Sequence, residues 1–168
     1  MSELFAGLIA GSMTKKTMNK AHPVFVDFIK SMNEIEARIL ASVSEHGAFA
    51  AVTLMRSAAG QPGATKMVKY FSPNLINTLQ LASPVDPKLI QSRVENLARM
   101  GLLEVSTDAT LTSPLYTEDY ENISNLDYIK VTKESVENDG DKFSISNGYI
   151  FLSQLGEDFR EVVISNKA

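Results

Sequence analysis

The stretch Asp86–Glu104 constrains the fold more than any other part of the sequence, because it marks both ends of a helix. Asp86 can accept a hydrogen bond from the free amides of a first helical turn, and Pro87 suits the first helical position. Gly101 supplies the left-handed residue that commonly ends a helix. The sequence therefore predicts a helix that turns directly into a strand. Its buried face consists of apolar residues three or four apart: Leu89, Ile90, Val94 and Leu97.

A second strong signal lies near the C-terminus, where Asn147-Gly148 separates two short apolar segments. This arrangement is the strongest local signal for a β-hairpin. A helix that closes in Met-Gly-Leu-Leu and runs into a strand is typical of the third helix and wing of a winged-helix domain. We therefore predict an α+β, mainly helical fold. It comprises a winged-helix-like domain over residues 21–168, with a small antiparallel β-sheet as its wing, and an N-terminal helical extension over residues 1–20.

The first third of the sequence predicts three helices. The first begins near residue 2 and has an apolar face, and His22-Pro23 opens the second. Asn33 followed three residues later by Glu36 is a capping-box pattern, which indicates the start of a third helix that ends at Gly47. The apolar residues at helical spacing are Leu4, Phe5, Leu8 and Ile9 in the first helix, Phe25, Phe28, Ile29 and Met32 in the second, and Ile35, Ile39, Leu40 and Val43 in the third.

The remaining segments are less regular. Residues 48–64 start apolar and fit either a short helix or a strand before a Gly/Pro-rich loop. Apolar residues between Met67 and Leu79 suggest a helix interrupted at Ser72-Pro73, where Pro73 can be a first helical residue with Ser72 as its cap. For residues 113–142 we predict a long loop with a piece of helix near 118–128. Ser153 is placed to cap a last helix.

Charge and composition limit the classes of function. The chain has 168 residues, no cysteine and a formal net charge of −4. Residues 105–150 carry three Lys against nine Asp or Glu, a net charge of −6. An acidic wing would repel phosphate, which supplies most nonspecific DNA affinity. The apolar run Leu4–Ala10 is too short to span a bilayer and lacks the basic lead of a signal peptide. We expect a cytoplasmic protein with no membrane association.

The sequence shows no catalytic constellation. His22 precedes a proline at a helix start, where we expect it to hydrogen-bond free backbone groups, and His46 lies at a helix end. Asp27, Glu34 and Glu36 could in principle perform acid–base work, but carboxylates on helices usually form a solvated face. No phosphate loop, nucleophile elbow or metalloprotease spacing occurs. We therefore predict a non-enzymatic protein with no cofactor and no metal.

Binding by the central helix is the remaining hypothesis. Its polar residues could contact base edges in a DNA groove, or could hold the helix against a neighbour. Because the helix carries no net charge and an acidic segment follows it, we favour a protein partner or self-association over nucleic acid. The candidate residues for partner or DNA binding are Lys88, Gln91, Arg93, Asn96 and Arg99.

Three blocks of the sequence resemble the Abi-alpha (abortive infection alpha) family of bacterial proteins. The first, ELFAGLIAGSM…HPVFVDFIKSMNEIEARIL, is similar to a family motif of the form LFANLLASSM…HPSFVEIIKQLSPLDAKLL. The second, SRVENLARMGLLEV, matches S-x-x-NL-x-RLGLI, and the third, YIFLSQLGEDFREVV, matches I-x-LT-x-LG-x-x-F with Ser153 in place of Thr. The matching residues of the last two blocks are Ser92, Asn96, Leu97, Arg99, Gly101, Leu102, Ile150, Leu152, Leu155, Gly156 and Phe159.

The resemblance implies an association with bacterial phage defence and little mechanism. His22, Pro23, Gly101 and Gly156 are the motif positions that we expect to matter structurally. Family members usually have a further helical region before the first block, so this chain resembles the C-terminal portion of such proteins; it is either the end of a longer protein or a short member. We predict an interaction domain of an abortive infection protein. The alternative is a winged-helix DNA-binding regulator that uses the 86–99 helix.

Overall fold

The computed structural model describes residues 2–60, 63–81 and 85–164, with Ser2 and Phe5 described by their backbone alone. The structure is 55% helical, and its described residues include a small curled antiparallel sheet with the strand order β2–β1–β4–β3. This confirms the predicted mainly helical α+β class. The elements are α1 Ser2–Ser12, α2 Val24–Ser31, α3 Glu34–His46, β1 Ala48–Ser57, β2 Thr65–Phe71, α4 Pro73–Thr78, α5 Pro87–Arg99, β3 Leu103–Ser106, α6 Pro114–Ser124, α7 Asp127–Asn138, β4 Lys142–Leu152 and α8 Gln154–Phe159.

The chain forms two compact units, each built from separate segments. The first unit comprises Met1–Gly47, Arg93–Glu104 and Phe151–Ala168, and the second comprises Ala48–Ser92 and Val105–Ile150. The winged-helix assignment and the division into residues 1–20 and 21–168 stay predictions.

In the first unit, several side-chain hydrogen bonds lie at the ends of helices. The predicted capping box is present: the Asn33 side chain accepts from the amide of Glu36, and the Glu36 carboxylate accepts from the amide of Asn33. Helix α8 continues into a π-helical segment, Arg160–Ile164. The ring of Phe159 in α8 meets Phe25 in α2 edge to face, with ring centroids 5.1 Å apart, and both side chains are fully buried. Such a pair contributes about 0.5–1.5 kcal/mol beyond its buried area.

Helix α5 begins and ends as the sequence predicts. Asp86 Oδ1 accepts from the backbone amide of Lys88 at 2.9 Å. Gly101 has φ +78°, and the amide of Leu102 bonds back to the carbonyl of Leu97 at 3.0 Å, which closes the helix. The apolar face is buried, with exposures of 2% or less at Ile90, Val94 and Leu97.

The second unit has an apolar core between strands β1 and β2 and helices α6 and α7. Tyr120 of α6 is buried there, and its hydroxyl donates to the carbonyl of Gly148 at 2.7 Å and accepts from the amide of Leu111 at 3.1 Å. Burial raises the pKa of this tyrosine. The buried core residues are Ala50, Val52, Leu54, Val68, Phe71, Tyr120, Ile123 and Ile129.

The predicted Asn147-Gly148 hairpin is wrong. Strand β4 runs unbroken from Lys142 to Leu152 through both residues. A Cβ at residue 148 would overlap the backbone carbonyl oxygen of Ser106 in β3, so the glycine permits a close approach of two backbones rather than a turn.

The helix predicted from Met67 onward is also wrong up to Phe71, because that segment is strand β2. Val52 of β1 pairs with Phe71 and Leu54 pairs with Val68, so three residues of β1 face four of β2 and β2 carries one extra residue. This bulge includes a positive φ of 56° at Tyr70. It places buried residues three apart, which is a helical spacing.

One further segment differs from prediction, and an ambiguous one is resolved. Residues 113–142, predicted as a long loop with a piece of helix near 118–128, form the two helices α6 and α7, and the segment after Gly47, predicted as either a short helix or a strand, forms strand β1. The first helix ends at Ser12, and a 3-10 turn, Met18–Lys20, follows it. The other predicted helix starts hold: Ser72 caps α4 with Pro73 at its first position, and Ser153 caps α8.

Candidate interaction site

The five candidate residues of α5 fall into two groups. Arg93, Asn96 and Arg99 belong to the first unit, whereas Lys88 and Gln91 belong to the second. The structure therefore does not bring the five candidates into one site within a single unit.

Asn96 and Arg93 lie beside the buried carboxylate of Glu36, and Arg99 contacts Asn96. Glu36 is 1% exposed, and its Oε1 accepts from Asn96 Nδ2 at 2.8 Å. Its other oxygen accepts from the amide of Asn33 at 2.8 Å. Arg99 Nη2 donates to Asn96 Oδ1 at 2.6 Å, and Arg93 Nη1 lies 3.9 Å from Glu36. A chain of hydrogen bonds thus runs from Arg99 through Asn96 and Glu36 to the start of α3.

This network fastens α5 to the first turn of α3. A buried charge is stable only when its oxygens are hydrogen-bonded, and here both oxygens of Glu36 have donors. The prediction that Glu36 belongs to a solvated carboxylate face is therefore wrong. The capping box accounted for one of its oxygens from sequence, but its partner Asn96 lies 60 residues away, and no local pattern connects the two.

The candidates of the second unit have different surroundings. Gln91 Oε1 accepts from the amide of Lys69 in strand β2 at 2.8 Å, which satisfies a donor on that strand. Lys88 is exposed on the rim of a groove of about 660 Å³. The groove is lined by Arg56, Lys66, Met67, Val68, Lys88, Tyr128, Val131, Thr132 and Ser135.

Two basic residues of this groove, Arg56 and Lys66, have polar partners within the second unit. Arg56 forms a hydrogen-bonded ion pair with Asp141 and lies 3.2 Å from Asp139, and the hydrogen bond to Asp141 raises the pKa of the guanidinium. Lys66 donates to the hydroxyl of Thr107 at 2.7 Å. Sequence reasoning identified Lys88 here and missed the rest of the groove, because its lining comes from strands and helices far apart in the chain.

The structural motif positions lie at helix ends of the first unit. His22 Nδ1 accepts from the amide of Val24 at 3.2 Å, so the histidine satisfies a free amide at the start of α2, which Pro23 directly precedes. The Ser153 hydroxyl donates to the carbonyl of Gly101 and accepts from the amide of Gly156 at 3.0 Å. A Cβ at Gly156 would overlap the carbonyl oxygen of Leu102. The Ser153 hydrogen bonds and the close approach at Gly156 therefore hold the end of α5 against the start of α8.

Among the described residues, no group of three His, Asp or Glu side chains is placed to hold a metal ion. No helix within those residues has the length and apolar character needed to cross a membrane.

The protein is of the mainly helical α+β class, and the Glu36 network joins α5 to the start of α3. The family model described as "Abortive infection alpha" matches residues 1–163. The chain therefore belongs to the abortive infection alpha family, and the match extends over essentially the whole chain rather than over a C-terminal portion alone.

Comparisons with individual proteins add little. No curated protein matches the chain significantly. One solved structure, of an uncharacterized protein from the hydrocarbon-degrading marine bacterium Alcanivorax borkumensis SK2, is similar with a TM-score of 0.49 and 18% identity, and the similarity covers 95% of each chain.

Proposed function

We propose that this protein is a non-enzymatic interaction module of a cytoplasmic phage-defence response, which acts by binding a protein partner or by self-association. Membership of the abortive infection alpha family supports the defence role. The observation that carries the mode of action is the Glu36 network, because it commits Asn96, a residue that could otherwise read DNA bases, to holding α5 against α3.

The distribution of acidic residues supports the same proposal. Helices α6 and α7 carry six of the nine acids of residues 105–150, among them the exposed residues Glu118, Glu121 and Glu134. A surface of this charge repels phosphate and suits a basic protein partner.

The test combines a defence readout with a binding readout. Cells that express the wild-type protein should resist phage better than cells that express Asn96→Ala, which loosens α5. The purified protein should show no salt-sensitive shift of duplex DNA at low salt. Metal-dependent cleavage of nucleic acid by the purified protein would contradict the non-enzymatic proposal.

A DNA-binding regulator is the second candidate, and the order of elements favours it. Helices α3, α4 and α5 are followed by β3 and β4, and β4 lies between β1 and β3 in the sheet. This is the order of a winged-helix domain with β2, α6 and α7 inserted. A DNA shift that weakens steeply with salt and is reduced in Lys88→Ala would establish this candidate instead.

A further inference from the structure

Helix α1 has an apolar outer face. Ile9 is 61% exposed and Met13, directly after the helix, is 80% exposed. Ala6 is exposed on the same side, since residues three or four apart share one face of a helix. On the other side, Gly7 touches the backbone of Val163, where a Cβ would overlap the carbonyl oxygen. One side of α1 thus packs within its unit and the other presents apolar side chains to solvent.

A firmly bonded turn follows this face and carries positive charge. The hydroxyls of Thr14 and Thr17 both donate to the carbonyl of Gly11, and Thr17 is buried. The turn holds Met13 and Met18 at its two ends, with Met18 55% exposed. The exposed residues Lys15 and Lys16 lie between the two methionines.

The opposite end of α1 carries negative charge beside a groove. Glu3 is exposed there, on the rim of a groove of about 500 Å³. Glu34 also lies on the rim, although it is paired with Arg38 at 2.6 Å. The apolar lining of the groove consists of Leu4, Met32, Ala37, Leu40, Ala41, Phe159 and Ile164.

We propose that the outer face of α1 binds the same face of a second copy of this chain, with the two α1 helices antiparallel. In that arrangement Glu3 of each copy faces Lys15 and Lys16 of the other, and Met13 reaches the rim of the groove. A parallel pair would place like charges together. Glu3 and Met13 are ten residues apart, or about 15 Å along a helix, so both contacts form at once. The contact is self-complementary, as a two-fold dimer requires.

The exposed area also suits a symmetric pair. Ile9, Met13 and Met18 expose a few hundred Å² together, which falls short of the ~800 Å² per partner of a standard interface. In a two-fold pair each copy contributes both this apolar face and the groove rim, so the contact is larger than the three side chains alone provide. The inference rests on the proposed function and specifies self-association as its mode.

The first experiment measures dimerisation of the full chain by sedimentation equilibrium. The wild type should form a concentration-dependent dimer, and Met13→Glu should weaken it on the order of 100-fold because a charge then lies inside the contact twice. Leu115→Glu is the matched control, since Leu115 is 75% exposed on α6 of the second unit, and it should leave dimerisation unchanged. Thermal melts establish that each variant is folded.

A charge exchange tests the antiparallel geometry. Glu3→Lys and Lys15→Glu are suitable because both residues are exposed. Each variant alone should dimerise about tenfold more weakly, because both of its contacts bring like charges together. An equimolar mixture should recover heterodimers, since each contact then pairs opposite charges. Weak association of the mixture would overturn the antiparallel pairing.

Two other results would also overturn the inference. A wild type that stays monomeric but binds anionic phospholipid vesicles through Met13 would show that the face lies on a membrane surface. A monomeric wild type that still protects cells from phage would rule out self-association and leave the proposed function intact with another protein as partner. Loss of protection in Met13→Glu together with loss of the dimer would support both.

Discussion

Both compact units of the chain bury apolar side chains, but they differ in where their polar side chains make contacts. In the first unit, segments distant in the sequence meet through single polar contacts at helix ends, such as Glu36 with Asn96 and Ser153 with Gly101. In the second unit, a sheet and two helices enclose an apolar core, and Tyr120 supplies its main buried polar anchor. In either unit the specific polar pairs tolerate few substitutions, whereas the apolar core tolerates exchange of one apolar residue for another of similar volume.

The family resemblance follows this difference. Nearly all of the residues that match the second and third family motifs lie in the first unit; Ser92 and Ile150, next to its borders, are the two that do not. Those motifs therefore fall mainly on α5, on α8 and on the residues directly beside them. The family model itself covers both units.

The largest effect should come from the apolar face of α5 in the first unit. Leu97 is fully buried, so Leu97→Ala should lower the free energy of unfolding by about 2–5 kcal/mol through lost burial and a cavity. Lys88→Ala on the same helix should cost less than about 0.5 kcal/mol because Lys88 is exposed. Urea denaturation measures both values. Similar losses from the two variants would mean that the buried face of α5 is wrongly assigned.

The next effect should come from the polar junction. Asn96→Ala removes the side-chain amide that donates to the buried Glu36 carboxylate, which should lower the free energy of unfolding by about 1–3 kcal/mol. A double-mutant cycle with Glu36→Gln measures the coupling between the two side chains. A coupling energy near zero would show that Asn96 does not support Glu36, and the contrast between the two units would then lose its basis.

Helix ends could be predicted from the sequence because their signals are local. The capping box at Asn33, the cap at Ser153 and the glycine after α5 each involve neighbouring residues, and all three are present. The buried position of Glu36 could not be predicted, since its partner is remote. The bulged strand β2 was missed because its extra residues convert a two-residue spacing into a helical one.

Substitution of Gly148 tests the close approach of two strands in the second unit. Because a Cβ there would meet the backbone of Ser106, Gly148→Ala should cost about 1–3 kcal/mol through forced displacement of β3 or β4. Asn147→Ala should be nearly neutral in a continuous strand, whereas an Asn-Gly turn would make both residues important. Chemical denaturation of the two variants distinguishes these cases. Equal decreases in the free energy of unfolding would contradict the continuous strand and favour an Asn-Gly turn.

The smallest effect should appear in the pH dependence of the first unit. Lys20 Nζ donates to Glu161 Oε2 at 2.8 Å, and this hydrogen bond lowers the pKa of Glu161 and raises that of Lys20. Glu161 therefore stabilises the fold above its ordinary pKa of 4.5, and this contribution disappears as the pH falls through its lowered value. The Lys20 contribution is present below 10.5 and is lost as the pH rises through its raised value.

Thermal melts of the wild type and Glu161→Gln across this range measure the contribution of the pair. The difference in melting temperature should be small, because exposed pairs are screened by water, and it should vanish in acid. Glu137→Gln is the control, since Glu137 lies 3.9 Å from Lys133 in an exposed pair of the second unit. If both variants shift the melting temperature equally at every pH, the Lys20 contact adds nothing specific, and polar contacts then do not distinguish the first unit at its surface.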